Sequence, residues 1–189
     1  QNYKHELALL EKRRPIGQVA ICLPFNNPLY SLVLYCFGPL LGGNNVIVRP
    51  SELTASFLSW FVSEFDCEFF KSKLKLYFGR KSDFLSNASN TSEIACIMLT
   101  GNWTTAQTVM NEIPSSTKLI YSGSGLNPFI VLPGSDIQAA VKAAIYSKTY
   151  NSGQDCLSSE RFYVVSAVYD DFLAQLAASV DKLIVGDNN

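Results

Sequence analysis

Apolar and polar positions along the 189 residues alternate between short, wholly apolar runs and longer amphipathic ones. Gln18-Val19-Ala20-Ile21-Cys22-Leu23, closed by Pro24, reads as a buried strand ending in a loop. A helix-like apolar stretch from Leu29 to Leu41 follows and is stopped by Gly42-Gly43. Asn45 to Arg49 reads as a second strand. Pro50-Ser51-Glu52 then opens a helix running from Ser56 to Phe70, with Ser51 as its expected N-cap. The pattern continues with a strand at Leu74–Phe78, a polar stretch from Arg80 to Ser92, a strand at Ile94–Leu99, a helix near Thr105–Glu112 and a strand at Lys118–Tyr121. Strands and helices that alternate through short connections predict an α/β fold with a doubly wound, mostly parallel sheet, whose ligands bind at the carboxyl ends of the strands. Asn26, Arg49, Gly101 and Ser122 all fall at or just beyond such ends.

After Gly123 the pattern restarts. Gly123-Ser124-Gly125 leads to a strand at Phe129–Leu132, a helix from Val141 to Tyr150 capped by Ser135-Asp136, a loop carrying Cys156, a strand at Arg161–Val165 and a closing helix at Val168–Lys182. A boundary is therefore expected near residue 125, dividing 1–125 from 126–189.

Composition narrows the picture. Apolar residues make up 48% and charged residues 16%, with a formal net charge of -1, so no field exists to recruit nucleic acid or an anionic membrane surface. The Leu29–Leu41 run is too short for a bilayer and contains Gly38 and Pro39. Five cysteines, with no CxxC pair and most of them inside apolar runs, indicate a reduced, cytoplasmic setting rather than a disulfide framework. The chain starts at Gln1 without an initiator Met, as expected of a processed or excised piece.

Candidate chemistry centres on Asn151-Ser152-Gly153-Gln154-Asp155-Cys156, where a thiol closes a polar, glycine-containing loop directly behind a helical run. The single histidine, His5, removes most Ser-His-Asp, Cys-His and His-metal schemes, so a nucleophilic Cys156 needs another form of activation, and no metal site is expected. Taken singly, the other candidates have ordinary explanations. Asn26 suits a turn between prolines, Arg49 and Glu52 suit a solvated pair at a helix start, and Gly101 suits a tight strand-to-helix turn.

Read in order, however, five blocks form a set. Pro15-Ile16-Gly17-Gln18-Val19, Pro24-Phe25-Asn26-Asn27-Pro28-Leu29, Arg49-Pro50-Ser51-Glu52, Thr100-Gly101-Asn102 and Asn151 to Cys156 resemble, in sequence and spacing, the aldehyde dehydrogenase superfamily from Pro15 to Asp187. The resemblance implies a Rossmann-like NAD-binding domain followed by the start of a catalytic domain. It implies oxidation of an aldehyde with NAD, or alternatively NADP, through a Cys thiohemiacetal and thioester. Cys156 matches the nucleophile, and Asn26 matches the amide that holds the oxyanion together with the Cys156 N–H; one such donor is worth ~10²–10³ in rate. Arg49, Ser51 and Glu52 fall in the block that meets the adenosine ribose, where an acid disfavours a 2′-phosphate. Gly101 and Asn102 match the pair that approaches the pyrophosphate at a helix N-terminus, although Trp103 and Ala106 depart from the pattern. Ser122 and Gly123 belong to a further cofactor-side block, in which Ser122 replaces the glutamate that activates water. A serine hydroxyl is no base near neutral pH, so release of the acyl group by hydrolysis is expected to be slow.

Two alternatives follow from that replacement. One is an acylating or acyl-thioester-reducing relative that uses coenzyme A; the other is an inactive fragment or pseudoenzyme. The small-molecule partner is accordingly an aldehyde or an acyl thioester, and an oligomer, or the remainder of a longer chain, is expected to cover apolar surface.

Overall fold

The computed structural model describes residues 12–64 and 67–186. His5 lies outside them. The chain divides into two compact units, Gln1–Ser122 and Gly123–Asn189.

The first unit is built on five parallel strands: β1 (Gln18–Cys22), β2 (Asn45–Arg49), β3 (Leu74–Leu76), β4 (Ile94–Thr100) and β5 (Lys118–Ser122), in the order β3-β2-β1-β4-β5. The inner strands β1, β2 and β4 are largely buried on both sides because helices cover both. Along β1, Val19 and Ile21 turn into one layer with Leu32, Leu40, Val46, Val48 and Leu58. Ala20 and Cys22 turn into the other with Phe84, Leu85, Ile97, Ala106 and Val109. That two-sided burial is what the unbroken hydrophobic runs encode. The chain leaves β1 toward β2 and β3 and then crosses to β4 and β5, so the order reverses beside β1. A crevice opens outside the carboxyl ends of β1 and β4 at such a switch.

The first helical layer contains α1 (Pro28–Leu32), a π-helical segment at Val33–Phe37 and α2 (Gly38–Leu41), which together occupy the expected Leu29–Leu41 run. It also holds α3 (Ala55–Ser63) and α4 (Glu68–Lys73). The single helix expected over 56–70 is thus two. Ser51 does not act as the expected cap: a short 3₁₀ turn at Glu52–Thr54 precedes α3, and the contact is from Thr54 N–H to the Ser51 backbone carbonyl at 3.0 Å.

The opposite layer contains α5 (Lys81–Ser89) and α6 (Trp103–Glu112). Helix α5 occupies what reads as a polar stretch in the sequence. Its hydrophobic signal is confined to Phe84, Leu85 and Ala88, one stripe at helical spacing among serines and asparagines. Packing against the sheet supplies what composition withholds.

The second unit pairs β6 (Asn127–Val131) with β7 (Ser159–Val164) in parallel, with α7 (Ile137–Thr149) and α8 (Ser166–Val180) packed on them. Val131, Val141, Ala144 and Phe172 form its core. Asp136 caps α7 as expected, accepting from the Ala139 N–H at 3.0 Å. Strands β6 and β7 both begin two residues earlier than their apolar runs suggest, because parallel pairing continues into the polar Asn127 and Ser159.

Candidate functional site

The carboxyl edge of the five-stranded sheet gathers most of the candidate cofactor residues. Arg49 ends β2 almost fully buried. Its guanidinium donates to Glu52 Oε1 at 2.8 Å and to the Gly79 carbonyl at 3.4 Å, while Glu52 remains largely exposed. The Glu52 charge therefore faces solvent already partnered, and Ser51 lies half-buried between the two. Cys22, at the end of β1, sits beside them. Burial pushes its thiol up from 9.0, and the positive charges of Lys81 and Arg49 oppose that rise.

Gly101 occupies the β4–α6 turn. Its N–H donates to the Ser122 carbonyl at 3.1 Å, and its own carbonyl accepts from the Tyr121 hydroxyl at 3.0 Å, so both flanking peptides are fixed by β5. A Cβ added here would lie 2.8 Å from the Lys81 ammonium. Glycine leaves that space to the Lys81 ammonium. Asn102 caps α6, its Oδ1 accepting from the Thr105 N–H at 2.8 Å. The bulky Trp103 is displaced outward, 54% exposed, with its ring 5.8 Å from Tyr121, so it does not fill the turn. Ala106 is fully buried against the sheet, where a small side chain replaces glycine without projecting toward the crevice.

Between α5 and α6 lies a cleft of about 410 Å³, lined by Lys81, Ser82, Ser86, Thr104, Thr105 and Thr108 among others. None of these residues stands out in the sequence. The available signal is the Thr104-Thr105 and Thr108 spacing on one face of α6. A smaller apolar hollow of about 190 Å³ lies at the opposite edge of the sheet, near Gln18 and Ile94 at the starts of β1 and β4, remote from the Gly101 turn. The arrangement at the carboxyl edge can take a phosphate against the Gly101 backbone and a sugar or base between α5 and α6. Asn26 is half-buried in the turn between β1 and α1, with Asn27 and Pro28 opening the helix.

In the second unit, Cys156 is exposed on a loop that is tightly specified. Three consecutive residues, Asn151, Ser152 and Gly153, have φ of 51°, 55° and 73°. Left-handed backbone at a non-glycine residue stores about 1–3 kcal/mol each and concentrates at functional sites. Asp155 Oδ1 accepts from the Leu157 N–H at 2.9 Å. The Asn127 amide donates to the Cys156 carbonyl at 2.8 Å and to the Ser158 carbonyl at 3.1 Å. Gly125 lies beneath: a Cβ there would collide with the Cys156 carbonyl and the Asn127 amide. Asn127 and Gly125 thus anchor the Cys156 loop, a task that residues so distant in sequence do not advertise. Gly123 opens this unit half-buried, one residue after Ser122 ends β5.

A parallel sheet with a glycine turn at its switch point, followed by a unit carrying an exposed thiol on a left-handed loop, defines a protein of the α/β class with a doubly wound sheet. The family is settled by comparison. The aldehyde dehydrogenase family profile matches residues 2–189, and the chain belongs to that family. It is 30% identical over 181 residues to a D-glyceraldehyde dehydrogenase (NADP(+)) of Thermoplasma acidophilum, a match covering 95% of this chain and 37% of the relative. It is 28% identical over 177 residues to lactaldehyde dehydrogenase of Escherichia coli, covering 93% and 37% respectively. Among solved structures, an aldehyde dehydrogenase from Brucella melitensis biovar abortus superposes with a TM-score of 0.84 at 28% identity, over 93% of this chain and 37% of that one. The chain therefore spans little more than a third of the length of these relatives. No helix among the described residues is long and apolar enough to cross a membrane.

Proposed function

We propose that the chain carries the cofactor-binding unit and the nucleophile of an NAD(P)-dependent aldehyde dehydrogenase acting in the cytoplasm, with 1–125 as the nucleotide domain and 126–189 as the start of the catalytic one. The observation that supports this most directly is the Gly101 turn at the carboxyl edge of the parallel sheet, in a chain that belongs to this family.

The residues fit the nucleotide. Gly101 and the Asn102-capped start of α6 receive the pyrophosphate, where backbone N–H groups and the helix dipole favour an anion. Arg49, Ser51 and Glu52 would hold the adenosine ribose, the α5–α6 cleft would take the base, and Ser122 and Gly123 would contribute to holding the rest of the cofactor. The bound cofactor supplies a hydride acceptor. Cys156 attacks the aldehyde carbon, forming an S–C bond and moving the carbonyl electron pair onto oxygen. The Asn26 amide and the Cys156 N–H hold that oxyanion. With that acceptor bound and taking the hydride, Cys156 would be left carrying the acyl group as a thioester. The substrate is a small-molecule aldehyde, and the whole enzyme works as an oligomer or as a longer chain.

Ser122 favours a second reading of the later half-reaction. With a hydroxyl where a water-activating carboxylate is expected, the acyl group leaves by transfer to a thiol such as coenzyme A rather than by hydrolysis. The test is to mix the protein with a panel of aldehydes and NAD or NADP, following reduced nicotinamide and the intact mass. A stoichiometric burst with an acyl adduct on Cys156, absent in Cys156→Ala, is expected. Steady turnover should begin only with coenzyme A, and Ser122→Glu should raise hydrolytic release. No burst and no adduct with any aldehyde would reject the dehydrogenase reading.

A further inference from the structure

We propose that Lys81 is the cation that holds the dinucleotide's pyrophosphate at Gly101, an assignment that rests on the nucleotide reading of the β4–α6 turn. Lys81 is the first residue of α5 and is half-buried. Several cations of this unit have evident partners: Arg49 pairs with Glu52 at 2.8 Å, Arg80 with Asp83 at 3.5 Å and Lys71 with Glu68 at 3.7 Å, while Lys73 donates to the Gly43 carbonyl at 3.2 Å. Lys75, on β3, and Lys118, at the start of β5, have no carboxylate partner among the described residues but stand away from the Gly101 turn. Among the described residues, Lys81 has no carboxylate within ion-pair distance. Its place in the helix is also wrong for stability. The first turn of a helix carries partial positive charge, so an ammonium there is repelled, where an acid would be attracted.

What Lys81 does reach is the glycine turn. Its ammonium lies 2.8 Å from where a Gly101 Cβ would stand, and close enough to Cys22 to act on that thiol electrostatically. It also heads the cleft shared with Thr104 and Thr105. A partly desolvated cation without an anion, over a backbone turn that has no side chain of its own at Gly101, is arranged for an anion brought by a ligand. The 2′-phosphate is the other anion a dinucleotide can offer, but the ribose end is assigned to Arg49 and Glu52. The pyrophosphate is the group that passes the Gly101 turn.

The experiment is calorimetric titration of the chain with ADP-ribose, which has a pyrophosphate and no 2′-phosphate, and with 2′-AMP, which has the reverse. Lys81→Gln should weaken ADP-ribose by roughly ten- to hundredfold, the loss of one charged hydrogen bond, and leave 2′-AMP within about twofold. Its melting temperature without ligand should be no lower than that of the original chain, because an unfavourable charge has been removed from a helix start. Unchanged ADP-ribose affinity overturns the proposal. A loss confined to 2′-AMP overturns it by moving Lys81 to the ribose phosphate. Equal losses for both ligands with a lowered melting temperature make Lys81 structural and also overturn it. If the original chain binds neither ligand, the nucleotide reading falls, and this assignment falls with it.

Discussion

Removing the Asn127 side chain should loosen the nucleophile loop without touching the thiol. Asn127 opens β6 in register with Ser159 of β7, and from there its amide donates to the carbonyls of Cys156 and Ser158 at 2.8 and 3.1 Å. Each neutral hydrogen bond contributes about 1 kcal/mol net. Because Cys156 is exposed and its carbonyl can be rehydrated, Asn127→Ala is expected to cost about 1–2 kcal/mol in all, or roughly 2–8 °C in melting temperature for a chain of this size. The effect should be concentrated locally. The Leu157 and Ser158 amides, which donate to Asp155 at 2.9 and 3.0 Å, should exchange with deuterium about 5- to 30-fold faster, while β1 and β4 keep their protection. Asn127→Asp sharpens the test. A carboxylate can only accept, so it would face two carbonyl oxygens without a proton to offer and should be worse than alanine at neutral pH. The folded state then raises the carboxyl pKa above the unfolded value, so protonation relieves the defect and the Asp variant should recover relative to Ala as pH falls toward about 4, with no further gain below it. Unchanged exchange in Asn127→Ala, or an Asp variant no worse than Ala at neutral pH, would refute the reasoning.

Two further predictions concern packing and buried thiols. Gly125→Ala should destabilise by about 1–3 kcal/mol in urea titrations, because its methyl group meets the Cys156 carbonyl and the Asn127 amide, whereas Gly38→Ala, helical and with open space around it, should stabilise by about 0.5–1 kcal/mol. The Cys36 thiol is pushed up from 9.0 to about 12 by burial. The folded chain therefore keeps a proton that the unfolded chain releases, so this stability is intact below pH 9 and declines as pH rises toward 12. Between pH 9.0 and 10.5 the decline should be about 2 kcal/mol steeper in the original chain than in Cys36→Ala, read by urea titration; parallel slopes would reject the assignment.

The strands and the family were legible in the chain itself. Runs such as Val19–Leu23 and Ile94–Leu99 are apolar without alternation, and only a strand buried on both faces tolerates that, which requires a parallel sheet covered by helices. The blocks around Asn26, Arg49, Gly101 and Cys156 could be recognised because each is contiguous. Local pattern misled where a segment's structure depends on a surface it does not itself contain. Helix α5 is polar by composition and forms because Phe84, Leu85 and Ala88 find the sheet. Ser51 reads as a cap, yet its backbone carbonyl, not its side chain, takes the hydrogen bond at the start of the 3₁₀ turn.

The Cys156 loop, Arg49 and Lys81 show the same division. Sequence alone established that a thiol closes a polar loop and that Arg49 and Glu52 are neighbours, while Lys81 stood unmarked in the polar stretch from Arg80 to Ser92. Strand order then decided their surroundings. It brought α5 beside α6, so that the Lys81 ammonium stands over Gly101. It ran β6 alongside β7, so that Asn127 reaches the carbonyls around Cys156. Neither contact could be read from the chain, because a contact between residues far apart in sequence is fixed by how the sheet is wound and by which side chains its helices bury.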